Sequence, residues 1–594
     1  MNRTLTLALI AVLLSVAAHG QEPRVVKESP DGKNEIAPGD TFEANAAAID
    51  ATDSVTLVCE SDVICNLEIT VPEGGQVYLM ADPYTVFSEV GVNLKLTRAR
   101  FKKGRNEIRM RPNRAGDYKL IVTVWAELPD FDIEPNNDTT SAQALAAGQK
   151  MRGTVSMPYG DRDCYTAQVE AGPLHVVFKK LVQADKDRPL NARFSIMAKG
   201  PEGYIDDQYA YAADETTNEY HFYPVVKAGP VWFYLLMGST VQGDEYEISW
   251  EPFTPGLTDA DKQAARKALE TGEKWLVDQG PGGKTWEPYE AAMDAFAFMA
   301  LLAGEAGKND RKTLEQTWVP RLEASLKLVP DIEWKGEAVY GIEYKVYEHS
   351  IVTLALAEAV AQGLESAKPA CLKAARFLLA AQLTGSRHKD WNGPVATSDD
   401  SFGGWRYTPN SKDMDISVTG WCLVALTAVD AAGLKVEGLR DSVAWALKAI
   451  RHCTDDFGFT YVPKSSGNGN IRNSIGALVL LLYGESGSAF NIAIADIDAH
   501  FPAGTQVDDG HNSPLYYAYY ATRADYLRSG KVWEAWRTAM LRQLVRLQEP
   551  GGSWRPMRAE AELERRFATA LSLMILRMCL NEVPKYLKHE AEGF

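Results

Sequence analysis

The stretch Phe402-Gly403-Gly404-Trp405-Arg406-Tyr407-Thr408-Pro409, followed by Asp413-Met414-Asp415-Ile416-Ser417, Val418-Thr419-Gly420-Trp421 and an apolar run to Val429, decides the fold. A glycine-rich turn carrying two aromatic rings leads into a segment whose apolar residues Val418, Trp421, Cys422, Ala425, Ala428 and Val429 recur at helical spacing. The pattern predicts a helix beginning near Ser417, entered through a tight turn.

Working outward, the same alternation of turn and helix fills the chain beyond Thr254-Pro255. Amphipathic helices are expected to start near Asp259, Lys312, Pro369, Leu439, Phe490 and Lys531. Each is followed by a more apolar one, starting near Glu290, His349, Ser417, Ser474, Pro514 and Phe567. A unit of two helices recurring along the chain marks a repeat architecture. Helices apolar on most of their surface need an enclosing layer, so six inner helices ringed by six outer ones form a closed α/α toroid over residues 256–590.

The Gly-Gly-Trp turn with its helix resembles a repeat of the squalene cyclase and prenyltransferase superfamily. Gln548-Glu549-Pro550-Gly551-Gly552-Ser553-Trp554 fits the Q-x3-G-x-W element of squalene cyclases, and Gln279 to Trp286 fits it with one extra residue. Tyr516, Tyr517, Tyr519 and Tyr520 with Trp533 and Trp536 are similar to a repeat of exported toroid proteins. The resemblance implies a terpenoid cyclase-like toroid.

In squalene-hopene cyclases the motif matching Asp413-Met414-Asp415-Ile416-Ser417 is Asp-x-Asp-Asp-Thr. The resemblance makes Asp413 and Asp415 the candidate catalytic pair, with Asp415 the acid that protonates a polyprene double bond. Ile416 replaces the last aspartate, and a carboxyl strong enough for that step needs neighbours that keep it neutral. The Asp-x-Cys zinc site of protein prenyltransferases reads Asp415-Ile416-Ser417, and serine is a poor zinc ligand. The Gly-Cys-Gly-Glu-Gln element of thioester toroids is absent. Polysaccharide-active toroid enzymes use paired carboxylates, for which Asp399, Asp400, Glu348, Asp508 and Asp509 are further candidates.

Asp413 and Asp415 also precede a helix, where a carboxylate caps free N–H groups and meets the positive end of the dipole. Capping lowers a carboxyl's pKa and opposes service as an acid. His349 and His511 fit satisfied structural roles better than they fit bases. With inner helices parallel, their N-termini gather at one rim beside Trp405, Arg406, Tyr407 and Arg472, with Arg565 and Arg566 just before the last inner helix. Helix N-termini and arginines there favour negatively charged groups. His349, Trp405, Arg406, Tyr407, Arg472, His511, Tyr516 and Tyr520 are the candidate ligand-binding residues, for a glycan, peptide or lipid-like ligand.

Before the helices the pattern is β. Runs of period two, such as Ser54 to Val58, Leu67 to Val71, Gln76 to Met80, Asn106 to Met110 and Tyr118 to Val124, predict an immunoglobulin-like β-sandwich over 21–128. After a linker from Ala126 to Asp132, the elements Glu134-Pro135-Asn136-Asn137-Asp138 and Asp161-Arg162-Asp163 resemble the bacterial pre-peptidase C-terminal domain, a β-sandwich, over 131–252. Some relatives hold calcium at matching positions, which makes Glu134, Asn136, Asp138, Asp161 and Asp163 candidate ligands of a structural Ca²⁺. The same residue types also build Asx turns.

Arg3, the apolar segment Leu5 to Val16 and the small residues before Gln21 have the layout of a signal peptide over 1–20. No later apolar run reaches the roughly 18 to 20 residues that cross a bilayer. The expectation is a periplasmic or secreted protein with no transmembrane segment after signal removal. A formal charge of −17 argues against nucleic acid. Seven cysteines in 594 residues do not make a disulfide scaffold, although a local Cys59–Cys65 bridge is permitted. Two readings follow: a noncatalytic exported binding or scaffold protein, and a divergent enzyme on the toroid.

Overall fold

The computed structural model describes residues 24–588, apart from 30–32, 47–51, 82–83, 88–92, 126–129, 134–135, 155–160, 183–192, 202, 212–218, 238–244, 281–289, 327–331, 335–336, 340–345, 387–392, 466–468, 500–513 and 556–561. The expected signal segment, Glu134 and His511, and most of the Gln279 to Trp286 element, lie outside the described residues. The chain forms two compact units, residues 1–253 and 254–594.

The first unit is built of β-sheets. One sheet orders its strands Val25–Lys27, Thr41–Ala46, Gly116–Trp125, Val63–Thr70 and Leu94–Phe101; a second orders Glu35–Ile36, Asp53–Cys59, Gly104–Pro112, Val77–Ala81 and Tyr84–Phe87. Alternate residues of both, among them Leu57, Leu67, Leu79, Ile108 and Leu120, meet in one apolar core, which is why period two was legible. Cys59 lies in one sheet and Cys65 in the other; both are buried and free, so the permitted bridge is not formed. Burial pushes the Cys59 thiol up to about 11, which keeps it unreactive.

Residues from 143 to 252 contribute a second pair of sheets around a separate core that includes Tyr165, Phe178, Phe233, Ile248 and Trp250. The supposed linker is not free at its end. Asp132 is buried and ion-paired with Arg98, whose Nη2 donates to Thr154 Oγ1 at 2.6 Å. Arg98 reaches it from a left-handed backbone with φ of 54°.

The second unit is helical. In chain order its main helices are α1 (Asp259–Gln279), α2 (Glu290–Leu302), α3 (Arg311–Leu326), α4 (Val346–Ala361), α5 (Lys368–Ala381), α6 (Ile416–Ala431), α7 (Leu439–His452), α8 (Asn470–Leu482), α9 (Ser488–Ala499), α10 (Pro514–Arg528), α11 (Gly530–Leu547) and α12 (Glu562–Cys579). The even-numbered helices pack each against the next, and α12 packs back against α2. Odd-numbered helices lie on them; α5, for example, covers α4 and α6. The sequence anticipates this division. Nearly every residue of α6 is buried, whereas α7 buries only one face, through Leu439, Val443, Ala446, Leu447 and Ile450.

Helix starts agree with the periodicity to within a few residues except at α8 and α12, which begin four and five residues before Ser474 and Phe567. Polar first turns carry no apolar signal, so the pattern starts late. Arg472, Arg565 and Arg566 therefore lie inside α8 and α12, not ahead of them. Arg565 pairs with Glu549 at 3.1 Å, and Arg566 donates to the Gly280 carbonyl.

Candidate functional site

Asp415 is the N-cap of α6, with extended backbone (φ −130°, ψ 156°) and Oδ1 accepting from the Val418 N–H at 2.9 Å. Its own N–H donates to the Trp405 carbonyl at 3.0 Å, so the turn and the helix are locked together. The side chain is fully buried and Oδ2 has no hydrogen-bond partner. Burial pushes this carboxyl up to about 7, against the lowering pulls of the Val418 N–H and the Arg406 charge. This corrects the expectation that capping would hold it low: the pulls of the Val418 and Ser417 N–H groups do not offset loss of hydration.

Asp413, two residues earlier, turns outward and pairs with Arg406 Nη1 at 2.6 Å. The two aspartates do not converge on one point. Arg406 also lies over two rings, 5.5 Å from the Tyr461 centroid and 6.0 Å from that of Tyr407. The Tyr407 and Tyr461 hydroxyls are 2.8 Å apart, and Tyr407 is exposed. The result is a braced shelf of two phenols and a guanidinium above the start of α6.

Beneath the shelf aromatic side chains of the inner helices pack together. Phe296 of α2, Trp421 of α6, Tyr516 and Tyr520 of α10 and Phe567 of α12 pack with centroids 5.1 to 6.4 Å apart. Tyr347 of α4 shares a hydrogen bond with Tyr516 at 2.6 Å, and the Trp421 indole N–H donates to the same phenol. Tyr516 and Tyr520 are thus core residues, not an open wall. Such a hydrogen-bonded aromatic set satisfies its polar edges internally.

The other candidates are structural by position. Trp405 is buried with its indole N–H on the Leu378 carbonyl at 2.7 Å. His349 is buried, its Nε2 on the Ala374 carbonyl at 2.9 Å, and burial holds its pKa down at about 4. Glu348 Oε2 accepts the Ala291 N–H at 3.1 Å, at the start of α2. Arg472 is half-buried on α8. Asp400 pairs with Lys464, and Asp399 accepts from the Ser401 N–H at 2.8 Å.

Among the described residues no cluster of three His, Cys, Asp or Glu side chains is placed to hold a metal, and Glu134 of the candidate calcium set lies outside them. Asp138 Oδ1 accepts from the Thr140 hydroxyl at 2.7 Å and from the Ser141 and Thr140 N–H groups at 2.9 and 2.8 Å, an Asx turn that holds its pKa down at about 2. Buried Asp163 accepts the Tyr246 phenol, and Asn136 is also buried. Asp161 opens the strand Asp161–Val169.

Three charged residues that sequence reasoning missed stand out. Arg523 of α10 is fully buried, its guanidinium 3.9 Å from the Tyr519 ring centroid and 4.7 Å from that of Tyr520. Its Nη1 donates to the Tyr586 phenol at 2.9 Å. Glu358 of α4 and Arg577 of α12 are also buried. Each interrupts an apolar helical run, the one signal that would have found them.

No protein-family model matches the chain, and no curated protein matches it. Matching solved structures include an α-1,6-mannanase of Salegentibacter in complex with α-1,6-mannotriose, 9% identical, covering 53% of this chain and 99% of that one at a TM-score of 0.39. A type II terpene cyclase of Scytonema in complex with merosterolic acid A is 15% identical, covering 55% and 100% at 0.34. The pre-peptidase C-terminal domain of a Bacillus anthracis collagenase is 15% identical, covering 20% and 100% at 0.15.

Proposed function

We propose that the chain is an exported, noncatalytic binding protein in which two β-sandwiches precede a six-hairpin α/α toroid. The rim shelf of Arg406, Tyr407 and Tyr461 takes a glycan or extended peptide bearing negative charge. The aromatic packing beneath the shelf carries this reading. A cyclase acid must face an apolar chamber that holds the polyprene, and the space beneath the start of α6 is occupied by Trp421, Tyr516 and Tyr520. An exposed phenol beside a guanidinium suits stacking on a sugar face or a peptide side chain, with charge-assisted bonds to an anionic group.

Among the described residues no helix is long and apolar enough to cross a membrane. Export rests on the layout of residues 1–20. The test is binding to arrays of acidic glycans and peptides, with Arg406→Ala/Tyr407→Ala against wild type. A loss of about tenfold or more in the double variant, with Asp415→Asn still binding, is expected. Unchanged binding by a folded double variant would sink the rim.

One observation favours a second reading. Asp415 is a buried carboxyl with an unpartnered oxygen, poised near 7, the state in which it can donate a proton. Turnover of a polyprene or polysaccharide that disappears in Asp415→Asn would replace the binding reading with a toroid enzyme.

A further inference from the structure

The C-terminal turns of α2, α4 and α12, with the segment that follows α12, enclose a cleft of ≈ 320 Å³. One water needs only about 10–15 Å³ by a comparable measure, so the space is of ligand size, at the small end of such pockets. It lies at the opposite ends of these helices from the rim shelf, and it stands or falls independently of the rim.

Three thioethers, Met299, Met574 and Met578, form much of its wall, together with Tyr519, Val583 and Pro584. Methionines adapt their shape to irregular apolar bodies. Polar groups enter from α4, α12 and the closing segment. Arg577 is buried; its two terminal nitrogens go to Glu273 and Glu582, and its Nε–H has no acceptor. A buried donor left unpaired is costly and is relieved by any acceptor that reaches it. Lys585 and Lys588, both exposed, add positive charge to the lining.

We propose that this cleft binds a small apolar carboxylic acid, its chain against Met299, Met574 and Met578 and its carboxylate toward Arg577, Lys585 and Lys588. The lining sets three cations against two carboxyls, Glu358 and Glu582, and its positive excess is greatest while Glu358 is neutral. Burial pushes Glu358 up to about 7, against the Lys585 and Tyr586 N–H groups and the Lys585 charge. Tyr519 of α10 and Tyr586 of the closing segment face it as neutral phenols; Arg577 and Glu582 line the same cleft. Above neutrality a second negative charge enters the cleft, so affinity for a carboxylate falls.

The full chain is titrated calorimetrically with decanoate, decylammonium and phosphatidylcholine vesicles at about pH 6 and about pH 8. Decanoate is expected to bind saturably, one per chain, about tenfold or more tighter than decylammonium and more tightly at the lower pH, and vesicles are not expected to compete. Glu358→Gln should keep the binding and flatten its pH dependence. Ala303→Phe, which places a ring in the cleft lining, should abolish it. A brominated decanoate in crystals should put its bromine among the three methionines, a measurement that needs no variant. Absence of decanoate binding, equal binding of the amine, competition by vesicles, a pH slope that persists in Glu358→Gln, unchanged binding in Ala303→Phe, or bromine elsewhere overturns the proposal.

Discussion

The turns at Trp405 and Trp554 are nearly superimposable in their chemistry, yet only one of them carries a buried acid. Trp405 N–H donates to Thr419 Oγ1 at 3.0 Å and Trp554 N–H to Thr569 Oγ1 at 3.0 Å. Their indoles donate at 2.7 Å to the carbonyls of Leu378 and Leu544, on the preceding outer helices. Gln382 Nε2 reaches the Gly403 carbonyl at 2.7 Å, and Gln548 Nε2 reaches that of Gly552 at 2.8 Å. The two glycines have φ of 94° and 95°. The difference lies in what is inserted. At the first turn residues 383–402 separate the glutamine from the glycines, and Asp415 caps the next helix beneath the Arg406 shelf. At the second, Gln548 leads to Trp554 directly and Glu549 pairs at the surface with Arg555 and Arg565. The turn is a scaffold used twice, and function is added to it.

The largest expected effect tests that equivalence. Gly403→Ala and Gly552→Ala should each cost about 4 kcal/mol by denaturant melts, since a left-handed backbone is disfavoured and a Cβ would lie 2.4 Å from the Trp445 carbonyl oxygen or 2.5 Å from that of Thr271. A large loss at one glycine only would break the comparison. Next, Trp405→Phe and Trp554→Phe should each lose about 2–3 kcal/mol, from a cavity and an orphaned carbonyl. Matching values would sharpen the equivalence.

The third effect separates the turns. Folded Asp415 titrates at about 7, whereas an unfolded aspartate titrates at about 3.9. The native state keeps a proton that the unfolded chain releases in that window. Its stabilising contribution is therefore fully present below about pH 4 and is lost as the pH rises through 7. Asp415→Asn should gain on wild type by roughly 2 kcal/mol between about pH 5 and pH 8, read as a shift in the difference of melting temperatures. A flat difference would mean that Asp415 is solvated like any surface cap. The smallest effect is Arg406→Ala, below about 1 kcal/mol in stability, because its partner Asp413 is well exposed.

Much of this was written in the chain. The strands announced themselves because alternate residues such as Leu57 and Leu67 face one core, and the inner helices because α4 and α6 are apolar all round. Gln548 to Trp554 was legible as a compact motif. Gln382 was not, since the insertion before Gly403 hides the spacing, and only folding returns its amide to the Gly403 carbonyl. Arg98 and Asp132 were equally hidden: partners distant in sequence become an ion pair only when two sheet systems bring them together.

By itself the sequence determined the order of β-sheets then paired helices, and the glycine and tryptophan turns, because periodicity and backbone freedom are local properties of the chain. Tertiary structure alone decided that Tyr516 and Tyr520 pack in the core beneath the shelf, that Asp413 faces outward while Asp415 is buried with its pKa raised to about 7, and that Glu358 and Arg577 line a cleft. Those outcomes depend on dielectric surroundings and on contacts between distant helices, which no window of sequence contains.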